Sequence, residues 1–395
     1  MKRKVSCLVL IASLFLLIPV RMKTQDGGVI TIRLSYKVVL NPANGARPPR
    51  VTDADLNTAV NGMNGFMRDY FRGYRFQLVE ILDVGGKSDP PAGPSMWYNT
   101  NFFDPNNGEA WRDQMEAAAL NDPTAYQWRN NAINIYITNG ICGGICSFPD
   151  DPNDIIIIGD CSDANASLQL HEIGHYFNLC HTQGCPCAGC TGNPSSASAC
   201  NNGPMSDGIA DTLPDRQCWT QDNIAQNAFK QNYNQLTPAE QQQVDDVFFN
   251  IMSYHGNTSR LTEQQLDRWS QSANLDRVAV RTGRMIFAQS GAPSGGNGSP
   301  SNPYNTVTAA AARAASDPAA DIIILRPGSF NQTLTINTAV TLRATRQGAA
   351  VVGSSAFPAM ATFAESTKSQ PEVSEGKFDY SPQQMGFAGS GNKKE

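Results

Sequence analysis

The string HEIGHYFNLCH, residues 171–181, constrains this chain more than any other stretch. His171 and His175 are four residues apart, so on an α-helix they occupy one face, one turn apart. Two imidazoles stacked that way can share one metal ion. Glu172 sits beside the first of them, where it can act as general base on water at the ion. His181 comes six residues after His175, past the expected helix end, so the chain must turn back to bring it in. Three protein ligands leave a fourth position open for water, the arrangement of a catalytic zinc, which would acidify that water and polarise a carbonyl. Only 4 of 395 residues are histidine, and a chance match to this pattern is on the order of 10⁻⁵ over the chain. The competing reading is a set of surface or core histidines with no metal.

The string resembles the extended metzincin motif His-Glu-x-x-His-x-x-Gly-x-x-His, with Asn178 at the Gly position. Gly serves there because the helix ends in a tight turn, and Asn is the next residue to tolerate a left-handed backbone. Downstream, NIMSYHG (250–256) resembles the Met-turn. The resemblance implies that Met252 forms an apolar floor under the metal, and that the Tyr254 hydroxyl stabilises a reacting oxyanion. With CGGICSFPDDPNDIIIIGD, SDGIADTLPD (206–215) and LTEQQLDRW (261–269), residues from about 30 to 275 look like the pappalysin and cytophagalysin peptidases. That likeness implies endoproteolysis by a zincin catalytic domain of α/β (α+β) class. Its twisted mixed sheet has a backing helix and an active-site helix above a cleft.

Three further features near this site each keep two readings. The segment Gly143–Phe148 is either the upper rim of the cleft, to which a substrate peptide adds as a strand, or a loop closed by Cys142 and Cys146. Asp207, Asp211 and Asp215 recur at four-residue intervals and are candidate calcium ligands, since carboxylates suit that hard cation; a solvated acidic loop is the alternative. Cys180, Cys185, Cys187, Cys190, Cys200 and Cys218 crowd the segment after His181, either as disulfides or, in CPCAGC, as a structural zinc site. His255 reads as a structural or rim residue.

Compartment is read from the N-terminus. Lys2, Arg3 and Lys4 precede an apolar run from Val5 to Val20, the pattern of a secretory signal over 1–23, with an uncleaved anchor as the alternative. Export agrees with 10 cysteines. Cys7 leaves with the signal, and the nine left are an odd number. The first strand begins near Val29, so no sizeable inhibitory propeptide is expected. No further stretch is apolar and long enough to span a bilayer. Net charge is −5, and no broad basic field marks a nucleic-acid partner.

Strands are expected at 29–40, 76–82, 132–139 and 154–160, and two long helices at 51–71, capped by Thr52 or Asp53, and 167–179, capped by Ser167. The catalytic domain is expected over 24–285, followed by a Gly/Ser/Pro-rich linker at 286–302. A β-helix-like segment at 303–356 resembles the first coils of a parallel solenoid, and a disordered tail occupies 357–395. The leading expectation is a secreted zinc endopeptidase acting on protein or peptide, with glycan contact through 303–356 as an accessory role. The alternative is a non-catalytic surface or adhesive protein that keeps the peptidase scaffold.

Overall fold

Aliphatic and β-branched runs build the central sheet. In the computed structural model, β1 (Ile30–Leu40), β2 (Tyr74–Gly85), β3 (Ile133–Thr138) and β5 (Ile155–Gly159) are parallel, in the order β2-β1-β3-β5. A short strand, β4 (Gly144–Cys146), joins antiparallel to β5 and forms the edge. The structure describes residues 29–353 apart from positions 42, 71, 86–108, 125, 140–142, 147, 150–153, 160–165, 185–205, 257, 317–319, 337–339 and 346–349. The expected signal, the expected tail and Cys7, Cys142, Cys185, Cys187, Cys190 and Cys200 lie outside the described residues.

The sheet is buried on both faces, which is why its inner strands are continuous aliphatic runs such as Ile155–Ile158. On one face Ile133, Ile135, Ile156 and Ile158 share a core with Leu56 and Met63 of α1 (Asp53–Asp69) and with Leu170 and Ile173 of α3 (Ala166–Tyr176). On the other, Tyr136, Ile155 and Ile157 pack on Met115 and Ala119 of α2 (Glu109–Asn121). Helix α1 starts at Thr52, whose side chain accepts from Asp55 N while Asp55 answers to the Thr52 backbone, a reciprocal cap at a dipole end that favours acids. The second cap differs from expectation. Helix α3 starts at Ala166, and Ser167 lies inside it with Oγ 2.7 Å from Thr258 Oγ1.

The two expected long helices are joined by others. Besides α2, the chain forms α4 (Gln221–Phe229), α5 (Pro238–Phe248) and α6 (Glu263–Leu275). Each of these three opens on a threonine cap, at Thr220, Thr237 and Thr262. Helices α4 and α5 bury a small core of their own around Ile224, Leu236, Val244 and Val247. Helix α6 joins the main core through Trp269, which stacks on Phe177 at 4.6 Å. Among the described residues no helix is long and apolar enough to cross a membrane.

After α6, β6 (Arg284–Ala288), β7 (Ala320–Leu325) and β9 (Thr341–Ala344) form a parallel sheet; β8 (Gly328–Phe330) and β10 (Ala350–Val352) pair in a second. Helix α7 (Val307–Ser316) covers one face through Val307, Ala310 and Ala314. The opposite residues Phe287, Ile322 and Ile324 belong to the main core. Arg326 adds an ion pair to Asp267 of α6 at 2.5 Å. The Gly/Ser/Pro-rich stretch between β6 and α7 is a hydrogen-bonded loop: Gly298 O accepts from Phe287 N at 2.8 Å, and Tyr304 N donates to Phe287 O at 2.9 Å.

Candidate metal centre

Helix α3 carries His171 and His175 on one face, as their spacing requires. The helix then stops in a turn that delivers His181. Asn178 adopts φ 68°, its N–H donates to His175 O at 2.8 Å, and Leu179 N donates to Gly174 O at 2.8 Å. This is the bond pattern of a left-handed helix end. It also aims the Leu179 carbonyl at His175 Nδ1, 2.7 Å away. Replacing Asn178 with Val is expected to cost about 1–2 kcal/mol, because a β-branched residue resists this backbone. Asn178→Gly should be neutral or stabilising. Thermal melts of the two variants against the parent check this; equal melting of Val and Asn proteins would contradict it.

The three imidazoles meet. His171 Nε2 lies 3.2 Å from His175 Nε2 and 3.1 Å from His181 Nε2, and the last pair is 3.1 Å apart. Two of the rings have their tautomer set from behind. His171 Nδ1 faces Ile251 O at 2.7 Å and His175 Nδ1 faces Leu179 O. A carbonyl only accepts, so both Nδ1 atoms carry the proton and both Nε2 atoms present bare lone pairs. Burial works in the same direction, lowering His171 to about 4 and His175 to about 3, and holding His181 well below the usual imidazole value. Neutral lone pairs aimed at one point repel each other unless a cation sits among them. Tetrahedral zinc with Zn–N of about 2.0–2.1 Å holds its nitrogens roughly 3.3 Å apart, close to these separations. Among the described residues this is the one group of three or more His, Cys, Asp or Glu side chains that could hold a metal ion.

Glu172 is 3% exposed, and its Oε2 has no hydrogen-bond partner. Burial pushes its carboxyl up to about 8. The edge strand β4 runs directly over it: a Cβ built on Gly144 would fall 2.5–2.6 Å from Glu172 Cγ, Cδ and Oε1. Met252 is fully buried with its thioether against Gly174 of α3. Its N–H is held by Asn250 Oδ1 at 2.9 Å. Tyr254 packs its ring 4.4 Å from His181 and 6.1 Å from His171. His255 is buried, stacked on Phe248 at 4.5 Å.

The acidic trio behaves differently from a calcium cluster. Asp207 accepts from Ile209 N and Gln265 Nε2, Asp211 from Gln264 N, and Asp215 from Thr182 Oγ1 and Arg216 N. The three carboxylates serve separate protein donors and do not converge. Gly144, Gly174 and Thr182 are not marked as site residues by the sequence, and Asp215 is marked only as a candidate calcium ligand. Gly144 and Gly174 matter for the side chain they lack, Thr182 and Asp215 for a buried contact behind His181. Only the His181–Thr182 adjacency hinted at the last pair. Phe148, at the end of the expected rim, lies 5.1 Å from the His175 ring.

No family model and no curated protein matches the sequence. Among solved structures, the chain is similar to mature mirolysin from Tannerella forsythia in complex with a cleaved peptide. The identity is 17% and the TM-score 0.38, over 63% of this chain and 93% of that one. It is likewise similar to a promirolysin mutant from the same organism, at 16% identity and a TM-score of 0.38, over 64% and 84%.

Proposed function

We propose that this chain is a zinc-dependent endopeptidase of the metzincin type, close to the pappalysins and cytophagalysins. The observation that carries the reading is the convergence of three imidazole Nε2 atoms, two of them held bare by carbonyls behind their rings, with an unpartnered carboxylate oxygen on the residue after His171. His171, His175 and His181 would hold the zinc. When bound, the ion would supply Lewis acidity, acidifying the attacking water, polarising the scissile carbonyl and drawing Glu172 back toward its ionised form.

The chain's own residues do the rest. Glu172 takes the proton of the attacking water and hands it to the leaving amine nitrogen. Tyr254, beside His181 and His171, turns its hydroxyl to the oxygen that gains charge. Strand β4 is the sheet's edge, so an extended peptide can pair with it in front of Glu172. Residues 1–23 would direct export, disulfides would brace the cysteine-rich segment, and the parallel strands of 303–356 would offer a surface for glycan contact.

Casein hydrolysis by the purified chain, with and without a chelator and after zinc is restored, tests the reading. Hydrolysis should vanish with the chelator and return with zinc. A non-catalytic scaffold would bind zinc and cleave nothing. Gly144→Ala should cut the rate by about 10²-fold, because its methyl displaces Glu172 from a position that tolerates little error. Zinc content should stay at one ion per chain. Full activity of the Ala variant would show that β4 does not set the Glu172 position.

A further inference from the structure

Asp215 joins the turn that carries His181 to the loop that carries Met252 and Tyr254. Its side chain is 0% exposed. Oδ2 accepts from the hydroxyl of Thr182, the residue after His181, at 2.8 Å. His255, the residue after Tyr254, places Nε2 at 3.0 and 3.1 Å from the two carboxylate oxygens. A carboxylate of this kind accepts, so His255 donates. Arg216 N adds a third donor at 2.7 Å. A second link runs alongside, from Thr182 N to Met252 O at 3.1 Å.

His181 is the ligand that needs such help. The other two imidazoles are oriented by carbonyls behind them, whereas His181 Nδ1 is buried with no hydrogen-bond partner. Its direction must come from the backbone on which it rides and from the Tyr254 ring against it. Asp215 grips the neighbours of both, Thr182 on one side and His255 on the other. A buried carboxylate is costly unless donors surround it, so the contact has one arrangement of low energy.

We infer that Asp215 is the positioning residue of the third metal ligand, holding His181 through Thr182 and Tyr254 through His255. The inference rests on the zinc reading above. Groups that orient ligands from behind commonly alter metal affinity by about 10–100-fold. Asp215→Asn keeps the size but sets an amide against the donors. Thr182→Val keeps the volume and removes one hydroxyl, which serves where the Asn protein does not fold.

Zinc affinity is read by competition with a chromogenic chelator, and ligand geometry by the visible absorption of the cobalt(II)-substituted protein. Zinc binding should weaken about 10–100-fold in Asp215→Asn and by a smaller factor in Thr182→Val, with altered cobalt bands in both. Variants that melt earlier in chelator yet keep parental zinc affinity and cobalt spectrum would make Asp215 a plain packing residue and overturn the inference. The same holds if Thr182→Val alone folds and is unchanged. A parent protein that binds no zinc would overturn both this inference and the peptidase reading. A zinc-binding parent with unchanged variants would overturn this inference alone.

Discussion

Glu172→Gln is expected to lower peptide hydrolysis by about 10³- to 10⁴-fold while leaving zinc bound, the upper range for loss of a general base. The substitution suits the site. Gln is isosteric with Glu, so it fits beneath Gly144, where a longer side chain would meet the strand. It leaves the histidines in place, with their Nε2 atoms converging and the Nδ1 atoms of His171 and His175 facing Ile251 and Leu179. What it removes is the one buried group beside them that can take a proton and return it. The large effect follows from burial, since at 3% exposure bulk water cannot act in its place. Initial rates on casein, paired with zinc stoichiometry of the same samples, check the prediction. Rates equal to the parent's would remove Glu172 from the mechanism, whatever the metal content.

The histidine cluster was legible in the sequence because its geometry is local. Four-residue spacing on a helix places His171 and His175 together by geometry, and Asn at position 178 announces the left-handed turn that the backbone adopts at φ 68°. The sheet strands were legible for a similar reason, since Ile155–Ile158 can hardly be exposed. Contacts between segments far apart in the chain were not. Asp215 reads as one of three regularly spaced acids, and nothing near it says that Thr182 and His255 will surround it from 33 and 40 residues away. Gly144 reads only as part of the Gly143–Phe148 rim or loop until Glu172 is found beneath it. Helices α4 to α6 left a readable mark in Thr220, Thr237 and Thr262, each three residues before a partner side chain. Their polar, Gln-rich faces hid the apolar period. The Gly/Ser/Pro-rich stretch after Ala288 misleads through composition, because backbone hydrogen bonds to Phe287 order it.

Stripping zinc with a chelator is expected to lower the melting temperature by about 8–16 °C. Free zinc at 1,000 times its dissociation constant stabilises a folded state by about 4 kcal/mol, and a domain of this size shifts about 2–4 °C per kcal/mol. The chelated protein should also show a peak in stability against pH. In the fold, His171 titrates near 4 and His175 near 3, and both titrate near 6.5 unfolded. Below pH 6.5 the unfolded chain therefore binds protons that the fold excludes, and stability falls as acid is added. Glu172 has the opposite sign. Raised from 4.5 to about 8, it is protonated in the fold where the unfolded chain has lost its proton, so its contribution is present below 4.5 and is lost as pH rises through 8. Between 4.5 and 6.5 three histidines, His181 included, oppose Glu172 and, up to about pH 6, Asp207, each worth up to about 1.4 kcal/mol per pH unit, so the histidines prevail. Above 6.5 only Glu172 still titrates among these groups. For these groups the optimum of the metal-free protein falls near pH 6.5, and above pH 7 the loss from Glu172 is offset by Lys37, which burial lowers to about 7 and whose contribution therefore rises with pH. Melts of chelated and zinc-loaded protein from pH 5 to 8 would show it. A chelated protein that gains stability steadily from pH 6.5 to 5, or melts with its zinc-loaded form at pH 7, would mean that the three imidazoles do not face one another in neutral form.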